Sequence, residues 1–120
     1  MKIAVVGSRQ FIHVNHIVKR LLQIKDLYGN TLNNFIELIS GGAEGVDKHA
    51  EDFAKANNLK IDIIKPINPN DKFSYLLRNV EIITKADYII AFWDGKSKGT
   101  KFVIDYATVR GKELEVIMDI

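Results

Sequence analysis

Apolar residues along this chain fall into two alternating arrangements. Ile3 to Val6 is a short continuous run that ends at Gly7, the pattern of a strand buried on both faces. From His13 to Tyr28 the apolar positions Val14, Ile17, Val18, Leu21 and Leu22 follow helical spacing, and Gly29-Asn30 is the stop. Phe35 to Ile39 reads as the second strand, and Val46, Ala50, Phe53 and Ala54 form the stripe of a second helix ending near Asn57-Asn58. Ile61 to Ile64 is the third strand, before a loop with Pro66 and Pro69. The third helix carries Phe73, Leu76, Leu77, Val80 and Ile83 as its core stripe. Tyr88 to Trp93 is the most apolar strand and so reads as central. A fourth helix spans Thr100 to Arg110 with Gly111 as its stop, and Leu114 to Met118 is the last strand.

Strands that alternate with helices predict a parallel sheet covered on both sides, joined by right-handed crossovers. The expected fold is α/β: a Rossmann-like three-layer sandwich with a five-stranded parallel sheet in the order 3-2-1-4-5. Residues 1–120 make one domain in this reading, without repeat, linker or low-complexity segment. Ligands of such sheets bind beyond the carboxyl ends of the strands, where the order reverses between strands 1 and 4.

Composition narrows the function classes. Seventeen Lys and Arg against fifteen Asp and Glu give a formal charge of +2, with the basic residues scattered. That near-neutral balance disfavours nucleic acid as a partner. The absence of cysteine excludes disulfides and thiolate metal sites. His13, His16 and His49 form no chelating i, i+4 pair with a carboxylate partner, so neither a metal nor another cofactor is expected. The start "MKIAVVGSR" has an apolar run of only four residues, too short for a signal peptide or a membrane span. The expectation is a cytoplasmic protein without a membrane partner.

Three strand ends carry chemistry. Strand 1 runs into Gly7-Ser8-Arg9, strand 2 into "SGGAEGVD" at Ser40 to Asp47, and strand 4 into "DGKSKGT" at Asp94 to Thr100. In the expected strand order all three meet on one rim. Gly41, Gly42, Gly45, Gly95 and Gly99 would let a ligand approach the backbone closely. Helices opening at those loops would present unpaired N–H groups and a positive dipole end to an anion. Ser8, Ser40, Ser97 and Thr100 offer hydroxyls, and Arg9 can meet a phosphate bidentately. The arrangement is neither a Walker motif nor the dinucleotide fingerprint, which places its glycines after strand 1. Asp47, Asp94 and Glu44 are the carboxylates available to a catalytic role. Asp47 equally suits the first turn of a helix, and Asp94 the turn at Asp94-Gly95. Asp105 reads as a solvated helix residue, and Trp93 either stacks on a base or packs.

The segments "VVGSRQF", "ISGGAEGVDKHAEDFAKANNL", "RNVEIITKADYIIAFWDGKSKGT" and "IDYA" resemble the SLOG superfamily, the Rossmann-like group uniting SMF/DprA proteins with LOG phosphoribohydrolases. Within it they are most similar to the small single-domain branch related to YspA and YpsA. The resemblance implies a nucleotide or nucleotide-derived ligand at this rim, with Arg78-Asn79 near its phosphate. By helical angle, however, Arg78 points away from the expected core stripe, toward solvent. Some members cleave the N-glycosidic bond of nucleoside monophosphates, one branch helps load DNA, and others are regarded as sensors. The LOG pattern Gly-Gly-x-Gly-Thr-x-x-Glu matches Gly99-Thr100 but puts Val103 at the acid, and valine cannot move a proton. The chain therefore reads as a nucleotide binder, sensor or sequestering protein. The alternative is a nucleoside 5′-monophosphate N-glycosidase with a displaced acid. Tyr75 and Ile82, opposite the core stripe of helix 3, together with Phe102 and Val109 on helix 4, further predict a homodimer or larger homo-oligomer.

Overall fold

Among the described residues, nine elements follow in the alternation that the sequence pattern dictates. The structure, a computed structural model, describes residues 1–28 and 36–120. They are β1 (Lys2–Gly7), α1 (Val14–Tyr28), β2 (Glu37–Ser40), α2 (Val46–Ala56), β3 (Lys60–Ile63), α3 (Lys72–Lys85), β4 (Tyr88–Trp93), α4 (Lys98–Val109) and β5 (Glu113–Met118). The helix stop at Gly29-Asn30 and the strand start at Phe35 lie outside the described residues. All pairings are parallel, and the order is β3-β2-β1-β4-β5, the Rossmann-like α/β arrangement expected. The middle position belongs to β1, which is flanked by β2 and β4. The more apolar β4 lies one place out.

The pleat sorts the core into two layers. Ile3 and Val5 point to one face with Ile17, Leu21, Val46, Ala50 and Phe53 of α1 and α2. Ala4 and Val6 point to the other with Ile82, Ile83, Val103 and Ala107 of α3 and α4. Burying both faces of β1 is what its unbroken apolar run requires. Because β1 pairs with β2 on one side and β4 on the other, the loops after these three strands share one rim.

Helix α3 is turned around relative to expectation. Phe73, Leu76 and Leu77 are 59%, 38% and 50% exposed, whereas Ile82, read as outward, is 1% exposed; of the expected stripe only Ile83 is core. Periodicity shows that a helix has an apolar stripe, but not that its own chain covers the stripe. Here Ile82, Ile83 and Ala86 seat the carboxyl half of α3 on the sheet. Asp71 caps the amino end by accepting the Phe73 N–H at 3.0 Å. The surface patch expected from Tyr75 and Ile82 is therefore absent: Ile82 is core, and Tyr75 faces the rim cavity. Arg78, on the side away from the exposed stripe, is turned inward rather than toward solvent.

Candidate functional site

The loops beyond β1, β2 and β4 enclose a cleft of about 520 Å³ roofed by α3. Of the residues expected there, Gly7, Arg9, Gly41, Asp47, Arg78, Asn79, Asp94, Ser97, Gly99 and Thr100 line it. Val6, Ile82 and Val103 add apolar wall, so the position where the resemblance places an acid is a buried valine on the cavity surface.

The β2–α2 loop owes its glycines largely to its own packing. A Cβ on Gly41 would lie 2.7 Å from Arg78 Nη1 and 2.9 Å from Asp47 Oδ2. Gly45 has φ +81°, and a Cβ there would meet the Arg9 carbonyl oxygen at 2.6 Å. Gly42, at φ +73°, is exposed, and its missing Cβ would face Ile63 and Lys65 rather than the cavity. The close neighbour that this loop makes room for is the protein itself.

Two of the expected hydroxyls serve the scaffold. Ser40 is buried, donates to Glu51 Oε2 at 3.1 Å and accepts the Gly42 N–H at 3.1 Å. Ser8 is buried, and its Oγ accepts the Asp94 N–H at 3.1 Å, stitching the β1 and β4 loops together. Neither lines the cleft, nor do Gly42, Gly45 and Gly95. Glu44 is exposed on the loop and also lies off the cleft.

Arg78 and Asp47 organise the β2 side. Arg78 donates through Nη1 to the Gly41 carbonyl at 2.6 Å and through Nε to Asn79 Oδ1 at 2.8 Å, with its guanidinium 5.3 Å from the Tyr75 ring centre. Burial lowers its affinity for the proton, and the charge of Asp47 offsets part of that loss. Asp47 accepts the Ala43 N–H at 3.1 Å. Burial pushes its carboxyl up to about 6, against the Ala43 bond and the Arg78 charge. A carboxyl that titrates near neutrality can give or take a proton at the cleft wall.

The β4–α4 loop is built by side chains. Asp94 Oδ1 accepts the N–H groups of Lys96 and Ser97, each at 2.8 Å, and these bonds hold its carboxyl below the usual range. Ser97 caps α4 by accepting the Thr100 N–H at 3.4 Å. Trp93 donates its indole N–H to the Ser97 carbonyl at 3.1 Å, does not line the cleft, and so steadies the loop. Helix α4 starts at Lys98, two residues before the expected Thr100, which puts Gly99 in its first turn. The Lys98 and Gly99 amides have no intrahelical acceptor. Apart from its chain neighbours and its own helix backbone, no atom comes within 4 Å of where a Gly99 Cβ would stand, and Gly99 itself is exposed and lines the cleft.

Sequence reasoning missed Gln10, Tyr75 and Lys96 among the lining residues. Lys96 lies inside the strand-end stretch "DGKSKGT" and was within reach as a strand-end cation. Tyr75 became legible only once α3 was known to be turned. The β1–α1 loop that carries Arg9 and Gln10 is tied to the end of the sheet, since Asp119 accepts the Ile12 and His13 N–H groups at 2.9 and 3.0 Å.

The sequence profile of the YAcAr family, described as the YspA, cpYpsA-related SLOG family, matches residues 1–66, more than half of the chain. The chain belongs to this SLOG family. No curated protein matches the sequence. Among solved structures, DNA processing protein A (DprA) from Streptococcus pneumoniae superposes with a TM-score of 0.79 at 20% identity, over 96% of this chain and 49% of that one. DNA processing protein A from Helicobacter pylori gives a TM-score of 0.75 at 23% identity, over 97% and 64% of the two chains. TM1055 gives 0.69 at 18% identity, over 94% and 71%. The SLOG chain thus spans about half to two thirds of the DprA proteins it resembles, and at these identities the likeness is one of fold.

One expectation falls here. The near-neutral charge disfavoured nucleic acid, yet the Helicobacter pylori protein of the same fold is described by its single-stranded DNA binding mode. Net charge averages over the surface, whereas a strand is held by the local field of a few cations, and Arg9, Arg78 and Lys96 all line one cleft. Among the described residues no helix is long and apolar enough to cross a membrane.

Proposed function

We propose that this SLOG protein binds a nucleotide or nucleotide-derived molecule, acting as a sensor or sequestering protein in the cytoplasm. The observation that carries the reading is Gly99: a first-turn glycine with open space where a Cβ would stand, lining the same cleft as Arg9, Arg78 and Lys96. The phosphate goes to the Lys98 and Gly99 amides and the nearby cations. The ribose hydroxyls go toward Asp47 and Asn79, and the base toward the apolar wall of Val6, Ile82 and Val103. Identifying co-purified small molecules by mass spectrometry, followed by calorimetry with nucleoside monophosphates, ADP-ribose and cyclic nucleotides, tests it. Binding of none of these by the folded protein, alongside a salt-sensitive gel shift of single-stranded DNA, overturns it.

A hydrolytic reading rests on Asp47, whose buried carboxyl titrates near 6 at the cleft wall. Binding without hydrolysis is the primary reading, because the position that the resemblance to LOG proteins gives to the acid is Val103, buried in the same cluster as Ala107. Incubation with nucleoside 5′-monophosphates is expected to release no free base. Release that Asp47→Asn abolishes would move the protein to the hydrolases.

A further inference from the structure

Arg78 and Asp47 converge on one spot of the cleft wall. The point where a Gly41 Cβ would stand is 2.7 Å from Arg78 Nη1 and 2.9 Å from Asp47 Oδ2. Close as they are, no ion pair joins the two. Arg78 spends Nη1 on the Gly41 and Ile64 carbonyls and Nε on Asn79, and its Nη2 has no hydrogen-bond partner among the described residues. A half-buried guanidinium with an unused nitrogen and no bonded carboxylate is open to an anion from the cleft. The nearest competitor for that anion is Asp47, only 7% exposed.

We propose that an anion is taken up at Arg78 together with a proton on Asp47, so that the cleft holds a phosphate group more tightly in mildly acidic solution. The proposal rests on the reading of the cleft as a phosphate site. In the free protein, burial of the Asp47 carboxyl favours its protonated form, against the Ala43 bond and the Arg78 charge, and the balance lies at about 6. An anion on Arg78 cancels the charge that opposes protonation and sets a like charge beside the carboxylate. Both changes bring the proton on, and the protonated carboxyl is a donor that can meet an anion oxygen. The surroundings reinforce the coupling. Glu51, one turn on in α2, accepts from Ser40, and its charge adds to burial in favouring protonated Asp47. Arg9 of the β1–α1 loop stands near enough to Arg78 for their like charges to interact, which strengthens the pull on an anion there. From the β4–α4 loop, Lys96 and Asp94 line the cleft, with Asp94 engaged in its own turn. Lys65 lies beyond Gly42, on the exposed side of the β2–α2 loop. None of the three histidines lines the cleft. The sign follows from linkage. Below about 6, Asp47 carries its proton with or without the anion, and affinity is level. Above that value binding must bring the proton in, and affinity falls by up to about tenfold per pH unit.

ADP-ribose and inorganic sulfate are suitable probes, because the charge of neither changes between about pH 5 and pH 8. Calorimetric titration of the full chain with ADP-ribose is expected to give an affinity about tenfold lower at pH 8 than at pH 6. In buffers of different ionisation enthalpy, the heat at neutral pH is expected to report net proton uptake. The carboxyl carbon resonance of Asp47, followed by NMR, is expected to titrate about one pH unit higher in saturating sulfate than without it. Asp47→Asn is expected to remove both the pH dependence and the buffer dependence. Equal affinity at the two pH values, an Asp47 midpoint unmoved by bound sulfate, or a pH dependence kept in Asp47→Asn overturns the proposal and leaves the phosphate reading standing. Failure of both probes to bind the folded protein at any pH overturns the phosphate reading, and the proposal with it.

Discussion

The β2–α2 and β4–α4 loops look alike in sequence and are built on opposite principles. Both are glycine-rich, both follow a buried strand, and both open a helix on the same rim. In the first, glycine makes room for the protein: Gly41 for Arg78 and Asp47, and Gly45 for the backbone of Arg9. In the second, polar side chains shape the turn, Asp94 through two N–H groups and Ser97 as the cap, and Gly99 is left facing empty space. A glycine that the fold does not need, beside a cleft, is a stronger pointer to a ligand than three that it does.

The sharpest contrast is steric. Gly45→Val combines a β-branched residue at φ +81° with a clash against the Arg9 carbonyl. It is expected to cost about 3 kcal/mol or more, read as a fall in the urea midpoint. An unfolding curve superposable on wild type would remove the claim that this loop is packed for its own sake.

Asp47 makes the next largest difference, through pH. Its folded value, about 6, lies above its ordinary 3.8, so between these limits the folded state holds the proton more tightly than the unfolded one. Stability contributed by the protonated form is full below about 4 and lost as pH rises to about 6, an effect on the order of 1–3 kcal/mol. Asp47→Asn should flatten this slope and stabilise the protein at pH 7.5. Retention of the slope in the variant would assign it to another group.

At the β4 side the effects are smaller. Asp94→Ala leaves the Lys96 and Ser97 N–H groups without their acceptor and should cost about 1 kcal/mol. Gly99→Ala adds a methyl to open space in the first turn of a helix, and a gain of about 0.5 kcal/mol is expected. A loss there would show that the fold needs this glycine after all.

The same contrast explains what was legible beforehand. The parallel sheet followed from continuous apolar runs separated by helical periods, as in Ile3–Val6 and Tyr88–Trp93, and the strand order and shared rim from the usual arrangement of such an alternation. Ten cleft residues were nameable because they stand just past strand ends or in a motif. The orientation of α3 was not legible, because both of its sectors are apolar, at Phe73-Leu76-Leu77 and at Ile82-Ile83. The choice between them depends on packing against Val6 and Val103, far away in sequence. Nor does a string of glycines distinguish those that admit a ligand from those that admit Arg78. That difference lies in which atom stands where a Cβ would be.

The central claim is that the cleft at the start of α4 receives a nucleotide phosphate, and Gly99 provides its most direct test. Nucleoside 5′-monophosphates titrated calorimetrically into wild type and Gly99→Val, with thermal unfolding measured on both, separate binding from folding. Saturable binding by wild type, lost in a variant that unfolds at the wild-type temperature, is the predicted result. Equal binding by the two proteins, or none by either, would contradict it.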